Sequence, residues 1–93
     1  MKKIHKYPLR RRAVQTFHDI PFDAKILSIQ QQGPEMCMWV EVDPNKKVKK
    51  PLEIVAVLTG EYAPDSRRAE YITTCQHGMS ALVLVLHYYR LKV

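Results

Sequence analysis

Met36-Cys37-Met38-Trp39-Val40-Glu41-Val42 alternates, with Met36, Met38, Val40 and Val42 on one side and Cys37, Trp39 and Glu41 on the other. A period of two is the signature of a β-strand, whose successive side chains leave opposite faces. Asp43-Pro44-Asn45 ends the run with turn-forming residues, and Gln32-Gly33-Pro34-Glu35 punctuates the chain before it. Upstream, Lys25-Ile26-Leu27-Ser28-Ile29-Gln30 carries β-branched residues and an apolar face formed by Leu27 and Ile29, so the two runs read as a β-hairpin. This pair predicts an all-β fold.

The flanking segments agree. Ile4 to Leu9 reads as a short edge strand because Pro8 removes a backbone donor, and Ala13 to Phe17 as a second strand before the turn-like Asp19 to Asp23. Leu52 to Leu58 is a fifth strand, broken by Thr59-Gly60. Tyr62 to Ala69 is a loop with room for one short helical turn, and Glu70 to Gln76 is a sixth strand. His77-Gly78 reads as the turn of a second hairpin, with Met79 to Tyr89 as the last strand. There Ala81, Val83 and Val85 oppose Leu82, Leu84 and Leu86, so both faces are apolar and both need cover. A loop, a short helix or a second copy of the chain has to supply it, which makes a homo-oligomer through this strand an expectation. The expected architecture is a single antiparallel sandwich or partly open barrel of about six to seven strands.

A chain of 93 residues holds one domain (1–93) and one core, and 46% hydrophobic with 26% charged residues is a folding, not a disordered, composition. Two cysteines, Cys37 and Cys75, are too few for a disulfide scaffold, and the N-terminal residues lack a signal-like apolar run, so reduced thiols in a cytoplasmic protein are expected. The longest apolar stretch, Met79 to Leu86, is too short for a membrane-spanning helix.

Fifteen Lys and Arg against nine Asp and Glu leave a net charge of +6, which favours acidic partners. The basic residues are concentrated: Lys2, Lys3, Lys6, Arg10, Arg11 and Arg12 form one cluster and Lys46, Lys47, Lys49 and Lys50 another. Side by side, they would suit phosphates, with Tyr7, Tyr88 and Tyr89 as stacking platforms for bases. The plainer alternative is a solvated edge guarded by lysines against aggregation.

Cys75-x-His77, with Cys37 and His18, offers candidate metal ligands, but two ligands are not a site and no CxxC or HxxxH spacing supports zinc, so neither metal nor cofactor is expected. Cys75 or Ser80 near His77 or His87 is the nearest approach to a nucleophile and base. No nucleophile elbow, P-loop or carboxylate pair accompanies them, and no enzymatic activity is expected. Trp39 is either core on the second face of its strand or an anchor for a partner.

Lys6-Tyr7-Pro8-Leu9, Ala24-Lys25-Ile26-Leu27-Ser28-Ile29-Gln30, Trp39 to Pro44, Tyr71-Ile72, Gln76-His77-Gly78 and Ala81-Leu82-Val83, in that order, resemble a family of small phage and prophage proteins known as a domain of unknown function. The likeness runs from Lys6 to Tyr88. It implies a compact β-rich fold and a phage or prophage origin, and it names no chemistry. Two departures stand out. Leu58-Thr59-Gly60-Glu61 replaces a Gly-Thr-Gly-His-like turn, and Met79-Ser80 falls where relatives are glycine-rich.

These readings combine into an expectation of a non-catalytic, phage-encoded binding protein acting in the cytoplasm of a bacterial host. It would be an accessory or counter-defence inhibitor, anti-CRISPR-like, of a host protein or nucleoprotein, with both basic clusters and an exposed edge strand as contacts. Direct nucleic-acid binding and a sponge for a nucleotide immune signal are the alternatives.

Overall fold

In the computed structural model, which describes residues 1–92, all regular structure is antiparallel strand: β1 (Lys3–Leu9), β2 (Val14–Phe17), β3 (Lys25–Gln32), β4 (Glu35–Val42), β5 (Leu52–Leu58), β6 (Ala69–Met79) and β7 (Leu82–Leu91). They form a three-stranded sheet, order β1-β4-β3, and a four-stranded sheet, order β2-β5-β7-β6. The smallest extent of the Cα trace is 16 Å, room for two layers. The chain is a sandwich whose sheets do not close into a barrel.

The alternation in β4 does what its period requires. Met36, Met38, Val40 and Val42 are all buried, flanked in register by Leu9 and Tyr7 on β1 and by Ile29 and Ile26 on β3. Facing them from the larger sheet are Leu52 and Ile54 of β5 and Tyr88 and Leu86 of β7. Each large apolar side chain taken fully out of water contributes about 1.5–3 kcal/mol, and this stripe is where most of that gain lies.

Three expectations shift. A β-bulge between Ile26 and Ser28 inserts Leu27 as the extra residue, so Ile26 and Ile29 take the core face and Leu27 turns outward. His77 and Gly78 are not a turn but part of β6, paired with Leu84 and Val83; the hairpin closes two residues later at Ser80-Ala81, where Ser80 adopts a left-handed φ of 53°. Residues 65–69 close one turn, with the amides of Arg68 and Ala69 both bonded to the Asp65 carbonyl, and no helix forms among the described residues.

The two long sides of the sandwich differ. On one side β6 is fastened to β3 and its turn. The Gln31 amide accepts from Gly78 N–H at 2.9 Å and donates to Gly78 C=O at 2.8 Å, Cys75 Sγ donates to Ile29 C=O, and His77 Nε2 lies 3.0 Å from Pro34 C=O. On the other side β1 and β2 are free edges, bridged by the Tyr7 and Phe17 rings meeting edge-on at 5.9 Å.

Candidate partner-binding site

Strand β1 belongs to one sheet and β2 to the other, so the segment between them, Arg10-Arg11-Arg12-Ala13, must cross from layer to layer. It does so as a fixed turn. Gln15 accepts the Arg10 N–H at 2.9 Å and donates its own amide to Arg10 C=O at 3.1 Å, Arg12 N–H bonds the same carbonyl, and Ala13 C=O receives the Ala56 N–H. All three arginine side chains are exposed. Among the described residues the ion pairs are Lys2–Glu41 and Asp65–Arg67, so none of the three guanidinium groups is neutralised within the chain.

Behind this turn, between the sheets, lies a cavity of about 270 Å³. Its walls are apolar, with Leu9 and Met36 from the smaller sheet and Leu84, Leu86 and Tyr88 from the larger, and Arg10 to Arg12 stand at its mouth. Burial pushes the Tyr88 phenol up to about 12, helped by negative charge at Cys75. Glu61, which lines the cavity, is occupied: its Oε1 accepts the Leu58 N–H at 2.7 Å while its own N–H bonds Leu58 C=O. That contact gives the Leu58-Thr59-Gly60-Glu61 turn a place in the site, holding one rim of the cavity. His77 closes the floor, buried and held by Pro34.

The ten basic residues do not form one patch. The β1–β4 register sets Lys3 opposite Val42 and Leu9 opposite Met36, so Lys2 and Lys3 lie at one end of the sandwich and Arg10 to Arg12 at the other. The lysine loop joins the Lys3 end, where Lys49 pairs with Pro21 and its Nζ donates to Asp19 C=O. Lys6 sits between the ends and donates to Gln32 at 2.7 Å. That bond carries its stem across the outer face of β4, where Cys37 is buried although it points away from the core. The three tyrosines are equally dispersed. Tyr88 is core, Tyr7 packs on Phe17, and Tyr89 lies on the outer face of the larger sheet beside Tyr71. Trp39 is half-buried on the outer face of β4, between Lys6 and Ser28.

Cys37 and Cys75 are free thiols on opposite sides of the smaller sheet, and burial raises the pKa of Cys75. Among the described residues no three His, Cys, Asp or Glu side chains converge. Gln15 and Glu61 escaped a reading for binding residues because each acts by fixing backbone, which leaves no pattern in one dimension, and His77, weighed as a ligand or base, is bonded to Pro34 C=O instead.

Fold and site define a small two-sheet β-sandwich with an arginine-rimmed apolar cavity at one end. The chain belongs to the domain of unknown function DUF7352, whose family model matches residues 1–93. No curated protein and no solved structure matches it.

Proposed function

We propose that this is a non-catalytic binding protein that takes an acidic segment of a partner protein at the arginine turn, seating an apolar side chain of that segment in the cavity behind it. The observation that carries the reading is the juxtaposition of three unpaired guanidinium groups, on a backbone already fixed by Gln15, with an apolar cavity. Fixing the backbone before binding lowers the ordering cost, and guanidinium forks match carboxylates in pairs. The free edge of β1 beside the turn offers main-chain pairing to an extended segment. The resemblance to phage and prophage proteins supports a host protein or nucleoprotein as the partner, blocked by an accessory or counter-defence factor in the bacterial cytoplasm. Direct nucleic-acid binding has less support, since the basic residues are split between two ends and Tyr88 is buried.

The test is capture of partners from bacterial lysate by tagged protein, with and without nuclease, using the wild type and an Arg10→Glu/Arg11→Glu/Arg12→Glu variant. The expected result is a nuclease-resistant partner lost from the variant. A partner retained by the variant, or lost on nuclease treatment of the wild type, would sink the proposal.

A further inference from the structure

The outer face of the four-stranded sheet is unlike any other surface of the molecule. Val14 of β2, Val55 of β5, Tyr89 of β7 and Tyr71 of β6 are register partners in sequence, forming one apolar row across all four strands. Val85 and Val83 extend it along β7, Val57 on β5 is already buried at 7% exposure, and Val14, Tyr71 and Val83 are more than half exposed. Glu53, at one border, is the only formal charge that the register places on this face, in a chain with 24 charged residues by its Lys, Arg, Asp and Glu counts of 15 and 9. An antiparallel sheet face open to water is normally polar.

Four polar side chains on or beside this face are bonded in a chain, while Thr16 and Gln76, which the register also places here, stand outside it. Tyr71 OH meets Thr74 Oγ1 at 2.7 Å, Thr74 Oγ1 meets His87 Nδ1 at 2.9 Å, and His87 Nε2 meets Thr59 Oγ1 at 2.8 Å. These three bonds offset part of the cost of covering the four side chains.

We infer that this face is the contact between two copies of the chain, packed sheet on sheet about a two-fold axis. Charge selects the occupant. Two copies each carrying +6 repel wherever Lys and Arg lie, at both ends and on the outer face of the smaller sheet, and this neutral face is where they can approach. A two-fold contact sets a patch against itself, which a neutral apolar patch tolerates and a charged one does not. Strands of 4, 7, 10 and 11 residues, at about 3.3 Å per residue and about 4.8 Å apart, give a footprint of roughly 500 Å². That is somewhat below the 800 Å² or so per partner of a standard interface, as befits a weak and reversible dimer.

Sedimentation velocity of the full chain tests this, with Val14→Lys and Val83→Lys as disrupting variants and Ile4→Lys, on the exposed outer face of the smaller sheet, as control. All three positions are more than half exposed, and circular dichroism and melting check each variant's fold. The expected result is a dimer that assembles at concentrations on the order of 100 μM, weakened roughly tenfold or more by either face variant and unchanged by Ile4→Lys. A wild-type monomer at about 1 mM, a dimer surviving both face variants, or one broken by Ile4→Lys overturns the assignment.

Discussion

The outer faces of the two sheets are built from strands of similar apolar content and end in opposite states. On the smaller sheet, Lys6 reaches over β4 to Gln32, Lys2 pairs with Glu41, and the outward Cys37 is 2% exposed. On the larger sheet no charged stem crosses β7, and the outward Val83 is 54% exposed. Position in the sheet explains much of this. Strand β4 is flanked on both sides by strands that carry long polar side chains, whereas β7 is flanked by β5 and β6, whose outward residues are mostly valine, tyrosine and threonine. One layer is finished by its own side chains and the other is not.

The largest effect should come from placing a charge on each. Cys37→Asp buries an unpaired carboxylate and should destabilise the fold by about 4 kcal/mol or more, while Val83→Asp, also outward, should cost less than about 1 kcal/mol. Urea denaturation measures both, and equal losses would erase the distinction. The inner side of β7 is sharpened by pH. The Tyr88 phenol titrates at about 12 in the fold against 10.0 in its absence, so its stabilising contribution is complete below pH 10 and is lost as pH rises through 12. Its loss should amount to about 2–3 kcal/mol, and Tyr88→Phe should flatten the alkaline fall in unfolding free energy. An unaltered fall in that variant would assign the alkaline sensitivity elsewhere. The smallest effect lies at the tip of the β6–β7 hairpin. Ser80→Gly removes a side chain from a left-handed backbone and should raise stability by about 0.5 kcal/mol, the relief of strain outweighing the added freedom of the unfolded chain. A melting temperature that fell would show that the Ser80 side chain contributes more than its backbone costs.

Period-two patterning made β4 legible with its inner face, and β-rich runs between turn signals located the other six strands. What the pattern could not show was anything decided between layers. Gly78 looked like a turn because glycine usually punctuates; here its N–H and C=O are taken by the Gln31 side chain, a contact between residues far apart in sequence. Leu27 looked inward because alternation assumes an unbroken ladder, and the bulge breaks it. The basic residues of the candidate site were visible as clusters, but whether neighbours along the chain stay neighbours in space depends on the direction of β1, which carries Lys3 and Arg10 to opposite ends. The cavity behind the arginines has no sequence signal, since its volume is set by the spacing of the two sheets.

Strand order also sets the sequence of events at synthesis. Strands β1 and β2 are made first, yet β1 pairs only with β4 and β2 only with β5. The arginine turn that joins them therefore gains support from both sheets only after Ala56 has been added, with Val55 paired to Val14 and the Ala56 N–H on Ala13 C=O. Lys2 and Lys6 have their partners Glu41 and Gln32 once β3 and β4 are made, whereas the turn between β1 and β2 still waits for β5.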